Sequence, residues 1–160
     1  MTELDIQQVR LWRNHPEVRR YMYSQNEISI EEHACWFTRL SKQLGRHLLI
    51  FEISSVPLGF INLHQLKNGP TADWGFYLNP DAPPGTGRVL GETTLRYAFE
   101  TIGLHKLCGQ VMDFNERSIR FHLNLGFQRE GVLRDQYFDG QKYHNVVCFG
   151  ILAPEWIKLK

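Results

Sequence analysis

The sequence predicts an α/β fold built on a mixed, mostly antiparallel twisted sheet of about six strands, flanked by helices. Three observations carry that prediction. Residues 71–78 (TADWGFYL) read as an aromatic-rich strand that runs through a Pro- and Gly-rich turn, DAPPGTGR, into a helical stretch, VLGETTLRYAFETIG. The chain closes with two strand-like runs around Asp139-Gly140, a strong hairpin-turn pair. The first quarter instead carries helical spacing and helix caps.

Taken in order, residues 4–13 form a helix with Leu4, Val9, Leu11 and Trp12 in a mixed polar segment and Asp5 near its start. Pro16 opens a second short helix, because its missing N–H costs nothing in a first turn, and Val18, Tyr21 and Met22 form a stripe. Ser29 caps a third helix, with Glu32 completing a capping box and Ala34, Trp36, Phe37 and Leu40 as its apolar face. Residues 48–53, 58–66 and 71–78 form a three-strand meander, turning at 54–57 and at Asn68-Gly69-Pro70. Residues 106–112 are a strand. Asn115 opens a helix over 116–125, whose end is set by Gly126 as a left-handed residue. Residues 128–138 and 142–152 are the strands of the closing hairpin.

At 160 residues the chain is large enough for one domain with its own core. Its 18 basic and 17 acidic residues nearly cancel, so no basic field points to nucleic acid or an anionic membrane. Apolar runs are too short to span a bilayer, and the chain does not open on a secretory signal. Three widely spaced cysteines, Cys35, Cys108 and Cys148, favour a reducing cytoplasm over a disulfide framework.

The turn at Gly85 and Gly87 is the first candidate site. A glycine turn feeding a helix start points backbone N–H groups and the positive end of the helix dipole outward, an arrangement suited to phosphate. Alone, a Gly-x-Gly pair is better read as an ordinary tight turn. The segment NERSIRFHLNLGF (115–127) adds a second candidate face: Asn115, Ser118 and His122 fall at i, i+3 and i+7, on one side of a helix.

With PPGTGR, the strand before it and the closing hairpin, this segment resembles the GCN5-related N-acetyltransferases. The closer resemblance is to the pseudaminic-acid-pathway N-acetyltransferases, through WRNHPEVRRYM, EEHACWF, ADWGFYL, GLHKLCGQV, NERSIRFHLNLGF and FDGQKYHNVVCFGILAPEW. The resemblance spans almost the whole chain. It implies acetyl-CoA as co-substrate and an acceptor with a 4-amino group on a UDP-linked amino sugar (UDP-4-amino-4,6-dideoxy-N-acetyl-β-L-altrosamine), on the way to a sugar that modifies flagellin and other surface glycans. Relatives that acetylate ribosomal proteins offer a protein N-terminus as the alternative acceptor, and a non-catalytic acetyl-CoA-binding module is a further alternative. The sequence leaves the oligomeric state open, a homodimer included.

The resemblance also implies roles. Backbone groups of Phe76, Tyr77 and Leu78 would pair with pantetheine amides. The amides of Gly85, Thr86, Gly87, Arg88 and Val89 would hold the pyrophosphate, with Arg88 as a charged partner, while Asn115 and Ser118 would line the cofactor. His122 stands where the family carries a tyrosine acid: it either protonates the departing sulfur or only orients the thioester. Asp73 stands at the strand position of a family glutamate base, or is a plain strand-end carboxylate. Arg13 and Asn14 lie where relatives hold the acceptor, and an arginine fork suits a diphosphate.

The departures from the family pattern are informative. Ala82 replaces the usual Arg or Gln, and Pro83-Pro84 offer no N–H donors. No segment ahead of the first helix matches the family's first strand, so either the sheet lacks that edge or the true start lies upstream. No cysteine lies on the glycine turn or the 116–125 helix, which favours direct transfer over an acyl-enzyme. His33 with Cys35 and His144 with Cys148 lack the further ligands of a zinc site, so no metal is expected.

Overall fold

The computed structural model describes residues 1–67 and 69–159. A 3-10 turn (Glu3–Asp5) leads into α1 (Ile6–Asn14), followed by α2 (Pro16–Arg19) and α3 (Ile30–Leu40). Strands β1 (Arg46–Ile53), β2 (Val56–Gln65) and β3 (Thr71–Leu78) come next, then α4 (Thr86–Arg96), which ends in a π-helical turn, Tyr97–Thr101. The chain finishes with β4 (Lys106–Met112), α5 (Glu116–Asn124), β5 (Gln128–Phe138), β6 (Tyr143–Leu152) and α6 (Ala153–Lys158). The six strands run in the order β1-β2-β3-β4-β6-β5. Pairs β1–β2, β4–β6 and β5–β6 are antiparallel and β3–β4 is parallel, giving the mostly antiparallel α/β sheet that the sequence predicts.

The chain forms two compact units, Met1–His64 with Gly75–Leu90, and Gln65–Trp74 with Gly91–Lys160. In the first, Val9, Trp12, Phe37, Leu40, Leu48 and Phe60 form the core, with Ile6, Trp36, Ile50 and Tyr77 packed against it. Ser29 and Glu32 make the expected capping box: Glu32 N–H donates to Ser29 Oγ at 3.1 Å and Ser29 N–H to Glu32 Oε2 at 2.7 Å. The second helix is shorter than its apolar stripe suggests. It ends at Arg19, so Tyr21 and Met22 lie beyond it. No strand precedes α1 among the described residues, and β1 is one edge of the sheet.

In the second unit, Trp74, Leu107, Val111, Phe127, Val147, Phe149 and Ile151 are buried. Gly126 ends α5 with φ +90°, as expected. The hairpin loop is wider than two residues: Asp139 Oδ1 accepts from Gln141 N–H at 2.8 Å and Lys142 N–H at 2.9 Å, closing a loop between Phe138 and Tyr143. Asn68 of the Asn68-Gly69-Pro70 turn lies outside the described residues. One helix escaped the sequence reading. Glu155 Oε2 accepts from Leu152 N–H at 2.9 Å and, with Pro154 in the first turn, starts α6 where the last strand ends.

The β3–β4 register positions the chemistry. It pairs Thr71 with Lys106, Ala72 with Leu107 and Asp73 with Cys108. β4 runs on to Met112, paired with β6 as far as Val146. Asp73 is therefore the last β3 residue in register with β4.

Candidate active site

In the second unit, α5 is held at its start by Asn115, whose Oδ1 accepts from Ser118 N–H at 3.1 Å. One turn on, His122 Nδ1 lies 2.8 Å from the Ser118 carbonyl oxygen. A carbonyl can only accept, so Nδ1 carries the proton and Nε2 keeps its lone pair. The three residues of the predicted face thus form one hydrogen-bonded file. The imidazole itself points inward: it is 3% exposed, stacks on Phe149 at 5.0 Å and meets Trp74 and Phe127 edge-on. The phase of the helix explains this. Phe121, His122 and Leu125 share the inward arc, whereas Leu123 is 49% exposed. Burial pushes the His122 pKa below its ordinary value, opposed by the bond to Ser118. The ring is neutral at pH 7.

Gly109 explains how the ring fits. A Cβ there would sit 2.7 Å from His122 Nε2 and 2.8 Å from Trp74 Nε1, so only glycine lets both rings cross the strand. Trp74 in turn stacks on Phe127 at 5.4 Å and 6°. Trp74 and Gly109 lie in the resembling segments ADWGFYL and GLHKLCGQV, but no motif in the sequence marks them as packing on His122. Their signals were the alternation of Ala72 and Trp74 in β3 and a lone glycine inside a strand.

Asp73 precedes Trp74, and its side chain is on the opposite face of the strand, exposed, beside Cys108. Burial raises the Cys108 thiol pKa, and Asp73 and Glu130 add to the rise while Lys106 opposes it. The thiol stays protonated and is a poor nucleophile.

In the first unit, Gly85 has φ +88°, a conformation that glycine adopts without strain, and α4 starts at the next residue. Part of the predicted cradle is already bonded. Thr86 Oγ1 donates to Pro83 O at 2.7 Å and Thr86 N–H to the same oxygen at 3.2 Å, while Arg88 N–H donates to Gly85 O at 3.0 Å. Thr86 is buried, whereas Val89 is 45% exposed. Tyr77 turns its ring inward, 5.2 Å from Phe60, and burial raises its pKa. Its side chain belongs to the core of this unit, which leaves the backbone of residues 76–78 as the part able to meet a cofactor.

Arg13 and Asn14 are both held by the segment that follows α2. Arg13 Nη2 donates to Ser24 O at 2.5 Å, and Asn14 binds the Ile28 backbone twice, Nδ2 to O at 2.8 Å and N–H to Oδ1 at 2.9 Å. Asn14 is thereby spent as a clasp. Arg13 is not: the residue is 9% exposed, and Nη1 is buried with no hydrogen-bond partner. Burial lowers its pKa, with the Tyr77 hydroxyl acting in the other direction and Arg19 adding to the lowering. Among the described residues no group of three His, Cys, Asp or Glu side chains is placed to hold a metal ion. No helix among them is long and apolar enough to cross a membrane.

The description "Acetyltransferase (GNAT) domain" matches residues 1–128. The chain belongs to the GNAT acetyltransferase family. It is an N-acetyltransferase of this type, dependent on acetyl-CoA. It is similar to acetyltransferase PseH of Campylobacter jejuni, 26% identical over 140 residues that cover 85% of this chain and 87% of that protein. It is also similar to spermidine N(1)-acetyltransferase of Escherichia coli, 21% identical over 155 residues covering 96% and 83%. In fold it matches the spermidine N-acetyltransferase of Vibrio cholerae, solved in complex with CoA and spermine, with a TM-score of 0.89 at 19% identity over 98% of this chain and 95% of that one.

Proposed function

We propose that this GNAT enzyme transfers acetyl from acetyl-CoA directly to the 4-amino group of UDP-4-amino-4,6-dideoxy-N-acetyl-β-L-altrosamine, a cytoplasmic step towards pseudaminic acid for flagellin and surface glycans, with the whole chain acting as one domain. The observation that carries the reading is the buried Arg13 guanidinium with its unpartnered Nη1. A buried cation lacking a partner is costly, and an anionic acceptor relieves that cost. Burial, the Tyr77 hydroxyl and Arg19 are what act on the Arg13 charge, and Arg19 is itself ion-paired to Glu27 at 2.9 Å. A polyamine acceptor brings more positive charge and is disfavoured. The likeness to PseH supports the same choice.

In this reading the neutral amine of the sugar attacks the thioester carbon, a C–N bond forms, the C–S bond breaks, and the CoA thiolate takes up a proton. Asp73, exposed at the end of the β3–β4 register, accepts the proton lost by the amine, directly or through water. His122, neutral and tied to Ser118, positions Trp74 and the α5 face; its geometry suits the orienting role better than the acid role. Backbone groups of Phe76, Tyr77 and Leu78 hold the pantetheine, and Gly85, Thr86, Gly87, Arg88 and Val89 frame the pyrophosphate, the amides of Gly85 and Gly87 being the most available. Asn115 and Ser118 line the cofactor, Arg13 binds the acceptor diphosphate, and Asn14 holds the segment around it. The protonated Cys108 thiol favours direct transfer. Mass spectrometry of the UDP-sugar after incubation with acetyl-CoA tests the reading: one added acetyl on the amino nitrogen supports it, and an unmodified sugar beside an acetylated N-terminal peptide or polyamine overturns it.

A further inference from the structure

His144 is buried on β6, 8% exposed, and the chemistry of the acetylation site leaves it unused. β5 bulges twice against β6, between Arg129 and Gly131 and between Leu133 and Tyr137, and pairing resumes at Tyr137 with His144. The Tyr137 ring stacks on the imidazole at 6.0 Å, and Phe114 meets it edge-on at 4.6 Å. Both ring nitrogens face carboxylates. Nε2 lies 2.7 Å from Asp139 Oδ2, and Nδ1 lies 3.7 Å from Asp113 Oδ1. An ionised carboxylate only accepts, and a neutral imidazole has a single N–H. A neutral ring that bonds Asp139 therefore turns a lone pair on Asp113. Only the imidazolium meets both. The same hydrogen bond is the largest cause that holds the Asp139 carboxyl below its ordinary range, ahead of the Lys142 and Gln141 amides.

Asp113 follows the last residue of β4 and stands two positions before Asn115, the cap of α5. Its Oδ2 accepts from Asn145 N–H at 3.2 Å and from Asn145 Nδ2 at 3.1 Å, and its own N–H donates to Asn145 O at 3.0 Å. Asn145 Oδ1 in turn accepts from Asp135 N–H at 3.0 Å. Asn115 N–H donates to Met112 O at 2.9 Å, so the turn from strand to helix wraps directly around Asp113. A carboxylate clamped on both oxygens at this turn fixes where the helix begins.

We propose that His144 is a positioning residue for acetyl-CoA: its imidazolium bridges Asp139 of the hairpin loop to Asp113 and so holds the Asn115 start of α5 in place against the cofactor. This role rests on the reading in which Asn115 and Ser118 line acetyl-CoA, and it makes cofactor affinity depend on one proton. The titratable groups packed on the ring are Asp139 from the loop, Asp113 from the end of β4 and Tyr137 from β5. As pH rises and Nδ1 loses its proton, the bond to Asp139 stays and the attraction to Asp113 is lost. Acetyl-CoA then binds more weakly.

Calorimetric titration of the full chain with CoA across pH, beside an NMR titration of the His144 ring, tests this role. His144→Gln keeps a donor for Asp139 but cannot become a cation. Where the ring is protonated, the CoA affinity of His144→Gln is expected to be about fivefold or more below that of the unaltered protein, and the two should converge as the ring loses its proton. In turnover, the variant should raise KM for acetyl-CoA by a larger factor than it lowers kcat. In the unaltered protein, exchange of the Asn115 and Ser118 amides, corrected for the intrinsic effect of pH, should quicken with the ring's own midpoint, which reports the tether even if the variant folds poorly. Ser118→Leu fills the cofactor face and separates the two layers of the account. Undiminished CoA affinity in Ser118→Leu would overturn the reading of that face and this role with it. Affinity lost in Ser118→Leu yet kept in His144→Gln, or a gap that ignores the ring's titration, would overturn the role of His144 alone.

Discussion

His122 donates from Nδ1 to the carbonyl oxygen of Ser118, at 2.8 Å, within the helix that both residues occupy. That bond fixes the tautomer and leaves the ring packed between Phe149 and Trp74. A group with this environment behaves as part of the core, and its charge state is tied to stability.

Because burial lowers the folded-state pKa of His122, the unfolded chain binds the proton more readily. The stability contributed by the neutral ring is fully present above the unfolded value of about 6.5 and is lost as pH falls through the lowered folded value. His33, whose pKa burial also lowers, acts with the same sign. Thermal unfolding should therefore show a falling Tm below about pH 6.5, and His122→Phe should flatten that acid slope. For catalysis, His122→Gln should lower kcat while keeping the shape of the pH–rate profile. Disappearance of the basic limb would instead assign His122 the acid role.

Gly109→Ala tests the packing around the same ring. The added methyl would sit 2.7 Å from His122 Nε2 and 2.8 Å from Trp74 Nε1, closer than van der Waals contact allows. A cost of about 1–3 kcal/mol is expected from such overpacking, measured by denaturant unfolding. An unchanged midpoint would mean that the two rings have room to move.

How much of this was legible beforehand differs from element to element. β3 and β4 were readable to the residue because alternation and bounding turns coincide there. The capping box of Ser29 and the C-terminal role of Gly126 were equally plain, being local chemistry. The inward turn of His122 was not, because helix spacing identifies a shared face without saying which way it points. The Asn14 clasp on Ile28 joins residues 14 apart and leaves no periodic trace. The bulges of β5 depend on pairing with β6, and α6 follows a strand whose apolar pattern runs up to it.

Asn14→Ala removes both bonds to the Ile28 backbone at once. The expected loss is about 1–3 kcal/mol of stability, with a raised KM for the acceptor and little change in KM for acetyl-CoA. An equal rise in both KM values would argue against a role confined to the acceptor side.

Asp73→Asn keeps the shape of the side chain and removes its basicity. If Asp73 takes the amine proton, kcat should fall by about 100-fold or more and activity should recover partly at high pH, where the free amine is already neutral. A profile superimposable on that of the unaltered enzyme would assign the proton transfer elsewhere.

The claim on which the account most depends is that the buried Arg13 selects an anionic acceptor. Its most direct test is CoA release measured in parallel with the UDP-4-amino sugar and with spermidine, for the unaltered enzyme and for Arg13→Gln. The kcat/KM for the UDP-sugar is expected to exceed that for spermidine by more than about 100-fold, and Arg13→Gln to narrow the gap chiefly by raising KM for the sugar. Preference for spermidine, or a gap untouched by the substitution, would contradict that claim.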